Sequence, residues 1–107
     1  MAVTINGTNG ITNVNGTAAA PAITGTDTDT GMYFGTNTVA LSTGGVAAVT
    51  VDSSQNTTFA GSINTANFSI VQSGTKLYIK YGATNLMSID SSGNIIALAN
   101  ITAYGTP

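Results

Sequence analysis

Apolar and polar residues alternate with a period of two in four segments of the chain. Since successive side chains of a strand point to opposite faces of a sheet, this alternation predicts half-buried β-strands. Gly, Thr, Asn and Ser interrupt every window in which a helix could form. We therefore predict an all-β fold. The apolar members of the four segments are Val39 and Leu41, Val49 and Val51, Leu77 and Ile79, and Met87 and Ile89.

The strand pattern occurs twice along the chain, with a constant offset between the two copies. Thr38–Gly45 aligns without a gap with Lys76–Ala83, and Val49–Asn56 aligns with Met87–Asn94. A repeat of this length is typical of one supersecondary element that has been copied. Each copy is predicted to contain a strand, a glycine turn, a second strand, an Asp-Ser-Ser turn and a third strand. The third strands are predicted at 57–59 and 95–98, each followed by a short segment at Ile63 or Ile101.

Two kinds of turn are predicted from their residue types. The pairs Gly44-Gly45 and Gly82-Ala83 lie between apolar runs and supply the positive φ angles that tight hairpins require. The segments 52–56 and 90–94 each begin with an aspartate that can accept backbone N–H bonds two or three residues further on. The predicted turn-forming residues are Gly44, Gly45, Asp52, Asn56, Asp90 and Asn94.

The first part of the chain has a different pattern. Between Ile5 and Gly16 an apolar residue followed closely by Asn and Gly recurs three times, and such a segment cannot form a core of its own. The predicted segments are an extended amino-terminal arm and linker at 1–22, a first β repeat at 23–66 and a second β repeat at 67–107.

The low charge of the chain limits the kinds of partner that it can bind. Only 6% of its 107 residues are charged, against about 25% in an ordinary globular domain, and His and Cys are absent. Two lysines cannot form the basic surface that nucleic acid requires, and no run approaches the roughly 18 apolar residues of a membrane helix. A small domain without disulfides or metal is marginally stable alone, so we expect copies of the chain to associate.

Residues that could support catalysis or bind metal are scarce. Without His there is no common general acid or base, and Asp52 and Asp90 occupy equivalent turn positions, which indicates a structural role. Asp27 and Asp29 are the one close carboxylate pair; a calcium loop would use such a pair, but the residues that follow favour a turn. We predict no enzyme, no metal and no cofactor.

Two further patterns leave alternatives open. Alternate threonines between Thr24 and Thr30 have the spacing of an ice-binding surface, but the row is not carried into the second repeat. Among the aromatic residues, we expect burial for Phe59 and Phe68. The tyrosines could contact sugar rings or lie between subunits. They are Tyr33, Tyr78, Tyr81 and Tyr104.

The order of the motifs resembles tail fibres and related appendages of tailed bacteriophages. The resemblance rests on Thr26–Gly35, the strand and turn at Val39–Gly45, and the turn at Val51–Asn56. The opening segment Ile5–Ile11 is similar to the amino-terminal arm of some of these fibres. The similarity covers about residues 1 to 104. These fibres usually carry an Asp-Ser-Ser-Gly-Asn turn. Residues 90–94 match it fully, whereas residues 52–56 have Gln55 in place of the glycine.

The resemblance implies an elongated, intertwined homotrimeric fibre that is a structural part of the virion. Its implied partners are other copies of the chain, other virion proteins and a host-surface glycan, and its implied location is the virion tail or a surface appendage, extracellular once released. A carbohydrate-binding adhesin module and a self-polymerising extracellular filament subunit remain alternatives. The side chains predicted to face the shared core are Val39, Leu41, Val49, Val51, Leu77, Ile79, Met87 and Ile89.

Overall fold

A computed structural model describes residues 4–101, and every regular element within them is a β-strand. The prediction of an all-β fold is confirmed, and all strand pairs are antiparallel. The chain divides into two compact units, with the boundary between Ala60 and Gly61.

The first unit contains two short hairpins followed by a five-stranded sheet. Strands β1 and β2 form one hairpin, β3 and β4 form the other, and the sheet has the strand order β5-β6-β7-β8-β9. Consecutive strands of the sheet are therefore neighbours in space. The bounds are β1 (Thr4–Asn6), β2 (Gly10–Thr12), β3 (Gly16–Thr17), β4 (Ala20–Pro21), β5 (Ile23–Thr24), β6 (Gly31–Gly35), β7 (Thr38–Thr43), β8 (Val46–Val51) and β9 (Thr57–Phe59).

The second unit consists of one five-stranded sheet with the same kind of consecutive order, β10-β11-β12-β13-β14. The bounds are β10 (Ile63–Asn64), β11 (Phe68–Ser73), β12 (Lys76–Tyr81), β13 (Thr84–Asp90) and β14 (Ile95–Ala97).

The last three strands of the two sheets start at aligned positions of the two sequence motifs. Each sheet also has an irregular register at the same relative place, after Leu41 in the first and after Ile79 in the second. The extra residues of these bulges, Ala48 and Leu86, each accept a backbone N–H bond, from Ala60 at 2.9 Å and Leu98 at 2.8 Å.

Two strands of the five-stranded sheets were missed by the sequence prediction. Strand β6 is bounded by glycines and lacks clear alternation, but it pairs along its length with β7. A side chain at Gly31 would overlap the carbonyl oxygen of Ile23, so glycine lets β5 approach β6 closely. Strand β11 lies outside the aligned motifs, and it pairs with β10 and β12.

The boundary between the sheets differs from the predicted boundary between the repeats. The sequence placed residues 63 and 64 in the first repeat, whereas Ile63–Asn64 pairs with β11 in the second sheet. The other predicted segment, at Ile101, is in no strand, and β14 ends at Ala97 rather than at residue 98.

The prediction of an extended arm is corrected by the structure, in which residues 4–21 fold back twice. The side-chain oxygen of Asn6 accepts hydrogen bonds from the backbone N–H groups of Thr8 and Asn9, at 2.9 and 2.6 Å, and so closes the first hairpin. Thr17 closes the second by accepting a 3.1 Å bond from Ala20 N–H. Residues 1–3 of the predicted arm lie outside the described part of the chain.

Candidate functional site: the apolar faces of the two sheets

The first sheet has one face that is almost entirely apolar. Directly opposite residues of paired strands share a face, and the register pairs Val39 with Val51 and Leu41 with Val49. The four residues predicted to face a shared core in this repeat therefore do lie on one face. Further members that the sequence prediction missed are Ile23, Met32 and Phe34, which the pairing of β5, β6 and β7 places beside them.

The second sheet has an equivalent apolar face. Leu77 lies opposite Ile89, and Ile79 lies opposite Met87, so the four residues predicted for this repeat are again together. The alternation Phe68-Ser69-Ile70 at the start of β11 was a sequence signal for two of the additional members. The additional apolar members are Ile63, Phe68, Ile70 and Ile95.

Among the described residues, each apolar face is only partly covered. Val39, Leu41, Leu77 and Ile89 are exposed, with Leu41 at 46%. Their neighbours Val49, Val51, Ile79 and Met87 are half-buried. A shallow cavity of about 230 Å³ lies on the first face between Met32, Leu41 and Val49.

The residues that are buried are small. Within the part of the chain described, Ala40 is the one buried member of the hydrophobic class, at 2% exposure, and Pro21, Ser42 and Ser88 are the other buried residues. Ala40 and Ser42 lie on the face opposite Leu41. Each unit thus leaves its large aliphatic side chains in contact with water, which is the reverse of the usual arrangement in a folded domain.

The aromatic residues are also only partly covered. Phe59 and Phe68, which were expected to be buried, are about half exposed, at 49% and 50%. Phe68 makes an edge-to-face contact with Tyr81, with ring centroids 5.1 Å apart. Tyr33 and Tyr78 are half-buried, and Tyr104 lies outside the described residues.

A scan of protein-family models, a search of curated proteins and a search of solved structures find no match to this chain. In residues 4–101 no helix has the length and apolar character needed to cross a membrane.

The Asp-Ser-Ser turns hold the second and third strands of each motif together. Asp52 Oδ1 accepts hydrogen bonds from the backbone N–H groups of Ser54, at 2.8 Å, and Asn56, at 3.1 Å. The Asn56 side-chain amide donates to Asp52 Oδ2 at 3.2 Å. These bonds, from the Asn56 side chain above all, hold the pKa of Asp52 below its usual value.

Asp90 makes the equivalent bonds in the second sheet. It accepts from the backbone N–H groups of Ser92 and Asn94, at 3.0 and 2.9 Å, and from the Asn94 side-chain amide at 3.0 Å. The Asn94 side chain again makes the largest contribution to lowering the pKa, and Lys76 adds a smaller one. Both carboxylates are committed to their turns, which gives them a structural role.

Asp27 and Asp29 lie in the loop between β5 and β6. The pKa of Asp27 is lowered, chiefly by a hydrogen bond with Thr30. The pKa of Asp29 is raised by its hydrogen bond with Asp27 and by the negative charge of Asp27. The loop is tied to the glycine turn between β7 and β8, because Gly45 N–H donates to the carbonyl oxygen of Asp29 at 2.9 Å and Gly44 N–H donates to Thr30 Oγ1 at 3.2 Å.

The loop between β5 and β6 contains both the aspartate pair considered for calcium and most of the alternate threonines considered for an ice-binding surface. Within the described residues no group of three or more His, Cys, Asp or Glu side chains is placed to hold a metal ion. Residues 26–30 lie in bends and turns, so the alternate threonines do not line one face of a strand.

The glycine turns differ between the two units. Gly44 and Gly45 both have positive φ, 57° and 75°, the combination that a type I′ hairpin turn requires. In the second sheet Gly82 has φ 55°, whereas Ala83 is not among the residues with positive φ. Both residues of the first glycine turn therefore have the predicted positive φ, whereas in the second turn only Gly82 has it.

Proposed function

We propose that this protein is a structural subunit of a tailed-bacteriophage appendage, either a short tail fibre or a segment of a fibre shaft. In this proposal copies of the chain associate through the apolar faces of their sheets and so complete a shared interior. The observation that carries the proposal is the exposure of Val39, Leu41, Leu77 and Ile89 while small residues are buried.

The apolar surface of the described chain supports association. Within residues 4–101, large hydrophobic side chains that are more than a third exposed lie on both sheets, among them Val39, Leu41, Phe59, Ile70, Leu77 and Ile89. Contiguous exposed apolar surface of this kind is typical of protein–protein interaction sites.

The residues of the two faces also suit burial between identical chains. All eight predicted core residues are uncharged, so no like-charge repulsion opposes the contact of one copy with another. Full burial of a large aliphatic side chain stabilises a protein by about 1.5–3 kcal/mol. Each of these side chains is still partly exposed, so its burial between copies would contribute part of that free energy.

The sequence resemblance supplies the biological setting of the proposal. It supports a trimer rather than another oligomer, a location in the virion, and other virion proteins as partners. A contact with a host-surface glycan is compatible with the exposed Tyr81 but is not required by the shared interior.

The proposal is tested by sedimentation velocity and electron microscopy of the purified chain at micromolar concentration. We expect a folded trimer that forms short rods of uniform size. A folded monomer would overturn the proposal. Endless fibres would overturn the closed oligomer and favour the self-polymerising filament.

A further inference from the structure

Strand β14 is apolar on both of its faces. Ile95 and Ala97 lie on the apolar face, opposite Ile89 and Met87, while Ile96 lies on the other face, opposite Ser88. Ile96 is 57% exposed and Leu98 is 67% exposed, and both line the same open cavity of about 390 Å³. A strand with one face in water normally carries polar residues on that face.

The corresponding strand of the first sheet does not share this property. Strand β9 aligns with β14 in the repeat, and the counterpart of Ile96 there is Thr58. A polar residue therefore occupies the second face of β9, while an isoleucine occupies that of β14. Strand β14, unlike β9, therefore carries an apolar side chain on its second face.

Within residues 4–101 no strand pairs with the outer edge of β14. It is the last strand of its sheet. Asn94 O accepts from Asp90 N–H, and Leu98 N–H donates to Leu86 O. Because hydrogen bonding alternates along a strand, the backbone groups of Asn94, Ile96 and Leu98 point toward β13. The backbone groups of Ile95 and Ala97 consequently point away from the sheet.

This edge is protected against pairing only by its shortness. Edge strands are normally guarded by charged residues, by proline, by a bulge or by being very short, and β14 has three residues. The segment 94–101 contains no charged residue, no proline and no glycine. Its composition is that of a segment which pairs readily with another strand.

We propose that a strand from a second copy of this chain adds to the sheet beside β14 and shields Ile96 and Leu98. The inference rests on the proposed function, because it requires copies to associate. The second copy is the favoured occupant because Ile95 and Ala97 continue the apolar face through which copies are proposed to meet. The uncharged edge and the exposed Ile95 on the apolar face fit the same occupant.

The substitution Ala97→Pro tests the pairing in the full chain. Proline removes the outward N–H group and blocks an approaching strand, but it leaves the bonds from β14 to β13 in place, and proline is tolerated at such edge positions. Ala97→Val is the matched control, since it adds comparable bulk and keeps the N–H group. We expect Ala97→Pro to weaken association at least tenfold relative to Ala97→Val, as measured by sedimentation equilibrium.

Amide hydrogen exchange of the unaltered protein gives a second measurement that does not depend on a variant folding. In the assembled protein the amides of Ile95 and Ala97 are expected to be protected, and dilution to the monomer should release them. The inward amides of Ile96 and Leu98 should stay protected in both states and so report that the sheet is intact.

The outcomes separate this inference from the proposed function. A chain that stays monomeric at all concentrations overturns both. An oligomer in which Ala97→Pro and Ala97→Val associate equally, with Ile95 and Ala97 exchanging freely, overturns strand addition and leaves the shared apolar interior standing.

Discussion

Asp52 and Asp90 make matching hydrogen bonds from aligned positions of the two sequence motifs. Each carboxylate accepts from the backbone N–H groups two and four residues further on, and from the side-chain amide of the asparagine that closes the turn. Each also has its own backbone N–H bonded to the carbonyl oxygen of that asparagine, at 3.1 Å in both turns. Two turns with identical bonding fix the connection between neighbouring strands in the same way in both sheets.

The stability of the protein should decrease in acid because of these two turns. The pKa of each aspartate is lowered in the folded state, so the ionised form stabilises the fold. This contribution is present above the unfolded-state pKa of about 3.9 and is lost as the pH falls through the lower folded-state pKa. We expect the free energy of unfolding to fall with pH below about 4, as measured by urea denaturation.

The double variant Asp52→Asn, Asp90→Asn should lose the part of this acid-dependent decrease that comes from the two turns, because asparagine keeps an acceptor oxygen but does not ionise. The part that comes from Asp27, whose pKa is also lowered, should remain. Asp29→Asn is the control. The pKa of Asp29 is raised rather than lowered, so this variant should keep the decrease. An unchanged acid profile in the double variant would show that other groups cause the decrease.

Gln55 and Gly93 occupy the same turn position with unequal strain. Gln55 has φ 68° and Gly93 has φ 84°, and both N–H groups donate to the carbonyl oxygen of the aspartate at 3.0 Å. A side chain in this left-handed region costs about 1–2 kcal/mol, partly offset by the greater freedom of glycine in the unfolded chain. Gln55→Gly should therefore stabilise the protein by about 0.5–1 kcal/mol in urea denaturation.

The reciprocal change Gly93→Gln should destabilise the protein by a similar amount. The variant carrying both changes should be close to the original protein in stability, since the two sites are distant along the chain and share no partner. A stabilising Gly93→Gln would contradict the view that backbone strain decides the residue at this position.

The sequence predicted those parts of the fold that depend on local chemistry. The alternation around Leu41 and Leu77 predicted the strands and their apolar faces, and the aspartates at 52 and 90 marked the turns. Strand β6 escaped prediction because its pairing with β7 and its close approach to β5 come from other parts of the chain.

The candidate site was predicted less completely than the strands. The register places Met32 beside Leu41 and Ile70 beside Ile79, and no local pattern in the sequence carries that information. The hairpins within residues 4–21 were missed because they depend on side-chain acceptors such as Asn6 and on short pairings of two or three residues.

Gly31 and Gly82 are required for different reasons, and alanine should reveal the difference. At Gly82 φ is 55° and the space is open, so Gly82→Ala should cost about 0.5–1 kcal/mol, because the strain of about 1–2 kcal/mol is partly offset by the greater freedom of glycine in the unfolded chain. At Gly31 a methyl group would overlap the carbonyl oxygen of Ile23 and contact Pro21 at 3.1 Å. Gly31→Ala should therefore separate β5 from β6 and cost more than Gly82→Ala in thermal or urea denaturation.

Gly61→Ala is the control for these two variants, because Gly61 has open space and no positive φ. This change should be neutral or slightly stabilising, since alanine restricts the unfolded chain. If Gly31→Ala were as mild as Gly61→Ala, the close approach of β5 to β6 would not be a requirement of the fold.

Replacing Leu41 and Leu77 by aspartate should dissociate the proposed oligomer. The two leucines are 46% and 43% exposed in the single chain, so about half of the roughly 1.5–3 kcal/mol from burying a leucine remains for the assembly. A carboxylate in the same place adds the cost of burying charge. We expect Leu41→Asp and Leu77→Asp each to weaken association more than tenfold in sedimentation equilibrium. Circular dichroism should show loss of β signal when both substitutions are combined.

Thr58→Asp is the control, because Thr58 lies on the other face of the first sheet, and it should leave the assembly intact. A stable oligomer of the double leucine variant would contradict a shared apolar interior.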